Sequence, residues 1–371
     1  MKTQRRLFFL LLPLVFLLAA LTGCNRAHTP SETEGPGLFA SGTPESNVQT
    51  RKITDMAGRT VEVPNEINSA FSATPASAIY LYTLVSDKML GWNYELNEAE
   101  KSMIPEEYHT LPSFGMGDAI SYEAVIAAGP DIAVSAVSIS RAAVEEADKL
   151  SQRLGIPVVV LSADLMDTPA AYRLMGELFG VDAQAEKLAA YAEETFGSIS
   201  GMDITDAEKV RVYYGNGETS LETAPAGSSH GQIIELVNAV NAARLELGDG
   251  SRMQISKEQL LAWDPDVIIV NGEPKASLSG GAAADALLND PDLNALKAVK
   301  NGMVFGIPNA PFGWVDRPPG PNRIIGMRWL AGKIYPEHFD FDVDEEVRTF
   351  FRLFYHVDLT DGQLAQLYEY T

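Results

Sequence analysis

Cysteine is nearly absent from this chain. Among 371 residues there is one, Cys24, which excludes a disulfide scaffold and a cysteine-built structural zinc site. Histidine is scarce too. His28, His109, His230, His338 and His356 are the five, and no two stand at i, i+4 or another metal-binding spacing, which argues against a dedicated bare-metal site. Basic side chains are outnumbered, 28 Lys and Arg against 50 Asp and Glu, for a formal net charge of −22. Such acidity argues against nucleic acid and against spreading on anionic lipid. Catalytic signatures are missing as well. There is no G-x-S-x-G elbow, no H-E-x-x-H and no phosphate-binding Gly-rich loop, and "GNGETS" at 215–220 matches no nucleotide fingerprint. The expectation is a protein that is not an enzyme and carries no cofactor of its own.

Apolar residues make up 46% of the chain, enough for one large or two medium cores. One apolar run is long and unbroken, in the opening "MKTQRRLFFLLLPLVFLLAALTGC". Lys2, Arg5 and Arg6 form a positive n-region, the run is an h-region, and small residues precede a cleavage point, as in a secretory signal. The run is short for a membrane span. Leu21-Thr22-Gly23-Cys24 resembles the bacterial lipobox, whose cysteine is acylated and becomes the first mature residue. Residues 1–23 are therefore expected to be a lipoprotein signal peptide. Residues 24–50, rich in Ser, Thr, Gly, Pro and Glu, would be the acylated cysteine and a flexible tether. The folded body then starts near Arg51, outside the cytoplasmic membrane and anchored to it by lipid.

Beyond the tether, "ITDMAGRTVEVP" (53–64) alternates apolar and polar residues around Gly58 and stops at Pro64, predicting a β-hairpin. Strand-like and helical stretches then alternate. Strands are predicted at 69–75, 87–93, 131–137 and after Pro157, and helices over 76–85, 121–128 and 140–154. From Thr168 two helical stretches follow with no strand between them. Alternation restarts with a strand at 209–217, helices over 229–240 and 256–263, a strand at 266–271, a helix over 283–298 and a strand at 302–307. The chain is helical from about Asn322. Such alternation predicts an α/β fold with parallel-rich sheets covered by helices on both faces.

One phrase is written twice. "SYEAVIAAGPDIAVS" (121–135) and "SKEQLLAWDPDVIIV" (256–270) align Ser, Glu, Ala127/Ala262, Pro130/Pro265 and Asp131/Asp266 before an apolar run. The proline ends a helix and the run is a buried parallel strand. Such a pattern can recur by chance, but the copies flank the two helical stretches that begin at Thr168, the second of them long and amphipathic. This suggests an N-terminal lobe at 51–167, connecting helices at 168–205, and a C-terminal lobe with terminal helices at 206–371.

These features are similar to those of the periplasmic-binding-protein family for iron–siderophore, haem and cobalamin complexes, the substrate-binding components of ABC importers. The hairpin, the two "E…PD" units, "YYGNGETSLETAPAGSSHGQIIELVNAVN" and the lipobox carry the resemblance, from Arg51 to Pro336. "DRPPGPNRIIGMRWLAGKIYPE" (316–337) resembles a branch labelled iron or metal-complex binders. The resemblance implies two Rossmann-like lobes joined by one long rigid helix, a ligand cleft between them and small opening motions. It also implies a monomer whose partners are an ABC permease with its ATPase and a metal-chelate ligand, foremost a ferric siderophore. A small oxyanion such as molybdate or tungstate, cobalamin and haem are the alternatives, with a chelatase-like enzyme behind them. One surface Glu per lobe pairs with transporter arginines in the family, and Glu123 and Glu258 match those positions. The plain alternative is that each stabilises its helix N-terminus beside Ser121 or Ser256.

Ligands in open α/β sheets sit beyond the carboxyl ends of the strands. The lining loops are therefore expected at 72–75, 92–97, 115–120 and 137–140 in the first lobe. In the second they are expected at 214–217, 226–230, 271–275 and 309–317. Trp92, Tyr94, Tyr214, Phe312 and Trp314 are aromatic candidates for the cleft wall, with Tyr213 assigned to the core and Tyr214 open to either. Trp314, in the Gly- and Pro-rich "NAPFGWVDRPPG", is assigned to the cleft. His230, at an expected helix N-terminus, either completes a metal's coordination, bonds a ligand oxygen or is a cap-region residue. Arg317 suits an anionic ligand, unless Asp316 beside it forms a local ion pair. Arg323 and Arg328 are expected to face solvent or brace the final helices.

Overall fold

The computed structural model describes residues 49–246, 252–272, 279–338 and 341–368. The signal segment, Cys24 and the tether up to residue 48 lie outside the described residues. The hairpin is present as β1 (Thr50–Thr54) and antiparallel β2 (Thr60–Pro64). Its turn passes through Gly58 at φ +77°, and Ile53 and Val63 point inward. The Asp55 carboxylate accepts from the amides of Arg59 and Val160, fastening the hairpin to the first lobe.

That lobe runs through β3 (Ala70–Ser72), α1 (Pro75–Val85), α2 (Glu98–Lys101), α3 (Tyr122–Ala128), β4 (Ile132–Val137), α4 (Arg141–Leu154) and β5 (Val158–Ser162). The three strands form a parallel sheet in the order β3-β4-β5. They are almost wholly buried, as expected of apolar runs covered on both faces. The strand predicted at 87–93 is a correction. That segment pairs by single rungs with two partners, Leu90 N with Ala70 O and Trp92 with Pro112 and Phe114, and so builds no ladder.

Two antiparallel helices lead out of the lobe, α5 (Thr168–Phe179) and α6 (Asp182–Ser200). Gly180, at φ +70°, ends the first. They approach so closely at Gly176 that a Cβ there would lie 2.6 Å from Ala185 Cβ. α5 faces the first lobe, where Tyr172 and Thr83 share a 2.7 Å hydroxyl contact. α6, roughly 28 Å long, faces the second.

The second lobe contains β6 (Arg211–Asn216), β7 (Glu222–Thr223), α7 (Gln232–Leu236), β8 (Val240–Asn241), β9 (Met253–Gln254), α8 (Lys257–Trp263), β10 (Val267–Val270), α9 (Gly281–Leu288), α10 (Lys297–Lys300) and β11 (Val304–Gly306). Its sheet is ordered β11-β10-β6-β7-β9, with β8 also on β6. β6, β8, β10 and β11 pair in parallel, and short β7 pairs antiparallel. The chain closes with α11 (Arg323–Ile334), α12 (Val343–Phe350) and α13 (Asp361–Leu367). Two predicted helices are shorter than expected. α7 has five residues because Asn238 turns left-handed at φ +60°. The helix over 283–298 is split by Asn289-Asp290-Pro291, where proline has no amide to donate and restricts the residue before it.

The repeated phrase is the same device in both lobes. α3 ends at Gly129 (φ +64°) and α8 at the aligned Asp264 (φ +43°), both left-handed. The aspartate then ties its strand to the neighbour. Asp131 N donates to Ser69 O while its carboxylate accepts from Asn68 and Ser69 N. Asp266 N donates to Arg211 O and its carboxylate accepts from Arg211 N. Each copy thus sets the register of a parallel pair.

One buried apolar cluster extends from Ile53 in the hairpin to Leu367 in α13 and includes residues of both lobes. Tyr82 of α1 is at its centre, with Trp92, Phe312 and Tyr355 rings around it and its hydroxyl donating to Tyr355 O at 2.7 Å. Arg328 does brace helices. It is buried, donates to Thr195 in α6 and pairs with Glu346 in α12 at 3.1 Å.

Candidate ligand-binding cleft

A cavity of about 510 Å³ opens between the lobes at the carboxyl ends of the strands. Its first-lobe wall is made by two helix starts. Thr74 caps α1 through a reciprocal pair with Ser77 and places Pro75 on the cavity. Asn97 caps α2 by the same pairing with Glu100, and both line the wall. Tyr94 lies beside them, its hydroxyl bonded to Glu100. Burial first, and then that carboxylate, push the phenol well above its usual pKa. Met116 forms an exposed apolar rim.

The second-lobe wall is the loop 309–319, which presents Asn309, Pro311, Phe312, Arg317 and Pro318. The loop is tied to itself. Gly313 N donates to Arg317 O at 2.7 Å, Trp314 N donates to Pro308 O, and Asn322 Nδ2 holds Gly313 O and Pro318 O. Both Ala310–Pro311 and Arg317–Pro318 are cis. Arg317 Nη2 reaches Asn216 Oδ1 at 3.3 Å.

Asp316 is the electrostatic centre of this wall. The residue is 1% exposed and its carboxylate carries three partners. His230 Nδ1 donates to Oδ1, Arg252 Nη2 donates to Oδ2 at 2.6 Å, and the Tyr214 hydroxyl reaches Oδ2 at 3.2 Å. Burial alone would raise the Asp316 pKa, but the hydrogen bond and charge of His230, then Arg252, hold it below the usual carboxylate value. Tyr214 is pushed the other way, by burial and then by Asp316. His230 and Arg252 both line the cavity. Since Nδ1 of His230 is committed to Asp316, Nε2 is the ring nitrogen left to meet a ligand.

Three expectations need correction, and one alternative falls away. Trp92 is 2% exposed, donates Nε1–H to Tyr108 O and packs behind Phe312, so it does not line the cavity. Trp314 is completely buried against Phe351 and Tyr368, because the loop turns it to the face opposite Arg317. Tyr214 is buried beneath the wall and bonds its Asp316. Asp316 pairs with His230 and Arg252 across the fold, not with Arg317. Tyr94, His230 and Arg317 do meet at one cavity, with Phe312. Arg252, immediately before the edge strand β9, was missed; nothing in "GSRMQIS" marks it locally. The expected loop at 271–275 contributes Asn271, and its continuation to Lys275 lies outside the described residues.

Glu123 and Glu258 are both exposed, in the first turns of α3 and α8, and neither is ion-paired among the described residues. Ser256 caps α8 through Gln259 N and holds Glu258 below the usual carboxylate pKa. Ser121 makes no side-chain cap. The helix-stabilising alternative therefore has support in one copy.

Two α/β lobes closing on a ligand-sized, mixed polar and aromatic cavity define a bilobal solute-binding protein. The chain belongs to the periplasmic binding protein family, whose profile matches residues 72–311, and is accordingly an extracytoplasmic solute-binding protein. In fold it is similar to the ABC transporter solute binding protein from Sulfurospirillum deleyianum (24% identity, TM-score 0.77), covering 86% of this chain and 99% of that one. It is also similar to the molybdate periplasmic binding protein MolA of Haemophilus influenzae (23%, TM-score 0.65, 84% and 99%). A third likeness is Helicobacter pylori CeuE in its nickel–histidine complex (18%, TM-score 0.64, 85% and 98%). No curated protein matches by sequence.

Proposed function

We propose that this chain is the substrate-binding lipoprotein of an ABC importer, capturing a metal complex, foremost a ferric siderophore, and delivering it to a membrane permease. The observation that carries the reading is the interlobe cavity. At about 510 Å³ it falls within the range of pockets that enclose small organic ligands, roughly 300–1,000 Å³. Its lining matches a chelate: Phe312, Tyr94 and prolines for an organic scaffold, the amides of Asn97, Asn271 and Asn309 for its polar groups, and Arg252 and Arg317 for anionic donor oxygens. His230 Nε2 would meet the metal or a ligand oxygen. Cys24 would carry the lipid, and Glu123 and Glu258 would dock on permease arginines from opposite lobes.

A small oxyanion is the second reading. His230, Arg252 and Arg317 converge on one wall, and a relative of the same fold is a molybdate binder. The test is a titration of the purified chain by thermal shift and tryptophan fluorescence. The panel is ferric hydroxamate and catecholate siderophores, haem, cobalamin, a nickel–histidine complex, molybdate and bare metal ions. Saturable one-to-one binding of a ferric chelate, weakened in Arg317→Ala, is the expected result. Binding of molybdate alone selects the oxyanion reading, and haem or cobalamin alone renames the ligand. A response to bare divalent metal alone overturns the chelate reading and favours chelatase-like chemistry.

A further inference from the structure

Arg323 was expected on the surface or bracing the last helices, yet it is 1% exposed and bonds in neither way. Its guanidinium is spread over both lobes. Nη2 donates to Ala163 O, just past the end of β5 in the first lobe, at 2.9 Å. Nη1 reaches Ser229 O and Gln232 Oε1 in the second lobe, each at 3.3 Å, and Nε reaches Gly320 O at 3.4 Å. These four acceptors are neutral oxygens. Holding a buried cation without a carboxylate in contact is unfavourable. The arrangement also needs the several divergent N–H groups of a planar fork, which lysine lacks.

The neighbours of these contacts show what they hold. Ser229 immediately precedes His230. Asn322, immediately before Arg323, grips the 309–319 loop at Gly313 O and Pro318 O. Gln232 adds a second strap between the lobes, donating Nε2–H to Asp164 Oδ1 at 3.1 Å. α11 behind them is buried along most of its length, a rigid base. Both parts of the second-lobe cavity wall and the first lobe therefore meet at the start of α11. The lobes cannot separate there without breaking the Arg323–Ala163 bond or the bonds to Ser229 and Gln232.

We propose that Arg323, seconded by Gln232, is a positioning residue that sets the spacing of the two lobes, and hence the width of the ligand cavity, before any ligand arrives. The proposal rests on the reading of the cleft as the solute site, but its test uses no ligand, so an error in the ligand class leaves the result intact. Spin labels are placed in the full chain at Glu123→Cys and Glu258→Cys, one exposed helix position per lobe, with Cys24→Ser so that no other cysteine remains and the chain is released from its lipid. Interlobe distances are then read by pulsed dipolar spectroscopy. The expected result is one narrow distance for the otherwise unchanged chain. Arg323→Met and Gln232→Ala should shift it longer or broaden it at least twofold, with Arg323→Lys between. Should Arg323→Met fail to fold, Arg323→Lys and Gln232→Ala decide the matter. Distributions superimposable on the parent in the folded variants would overturn the proposal.

Discussion

Asp316 and His230 stand 86 residues apart in the chain and share a hydrogen bond at the wall of the cavity, Nδ1–H to carboxylate. The same carboxylate holds Arg252 through its other oxygen. One buried anion thus orients two of the groups that line the cavity.

The pH dependence of stability follows from that arrangement. The folded-state pKa of Asp316 lies below its ordinary value of 3.8. Its contribution is therefore complete above that value and is lost as pH falls through it towards the folded-state pKa. Urea midpoints measured from about pH 6 to about pH 2 should fall more steeply for the parent chain than for Asp316→Asn. At neutral pH the variant should itself be less stable by about 3–5 kcal/mol, the usual effect of breaking a buried charge pair. Parallel acid limbs would refute this account.

Arg317 and Trp314 should separate binding from folding. Arg317→Ala removes a charged donor from the cavity wall, where such groups contribute about 1.5–3 kcal/mol, roughly 10- to 150-fold in affinity. Because Arg317 also holds the buried Asn216, the variant's melting temperature should fall somewhat, but by less than that of Trp314→Ala. Trp314→Ala empties a core site and should destabilise by about 3–5 kcal/mol. Calorimetric titration beside thermal melts checks both, and a selective binding loss in Trp314→Ala would contradict its placement.

Charge reversal at the docking candidates should leave the solute site alone. Glu123→Arg and Glu258→Arg sit on exposed first turns of helices, so stability should change by no more than about 1 kcal/mol. Ligand affinity should be unchanged. Uptake of the labelled ligand by cells carrying the permease should fall in each and collapse in the double variant. Normal uptake in the double variant would remove both from the interface.

Gly326 is where α11 presses on the cavity loop. A Cβ at that position would stand 1.8 Å from Trp314 O, so Gly326→Ala must push helix and loop apart. Overpacking of this kind costs about 1–3 kcal/mol. Because the loop also carries Arg317 and Asp316, ligand affinity should fall along with stability. Unchanged melting and binding would show that the helix shifts freely.

The sequence by itself determined the class of fold. The doubled "E…PD" phrase predicts a helix, a stop and a buried strand, and the structure adds that Asp131 and Asp266 lock adjacent parallel strands by the same hydrogen bonds. Those signals are local: proline lacks an amide, apolar runs need cover, and alternation marks a hairpin. Arg317 was also legible, because it follows the parallel strand β11, while Tyr94 and His230 reach the same cavity from segments that follow no parallel strand. Only the tertiary structure decided which way each loop turns its side chains. In 312–317, Phe312 and Arg317 face the cavity while Trp314 goes to the core and Asp316 to a buried ion pair. Arg252 and Arg323 lie beyond local reading for the same reason. Their partners, Asp316 and Ala163, are 64 and 160 residues away, and such contacts are set by how the lobes pack.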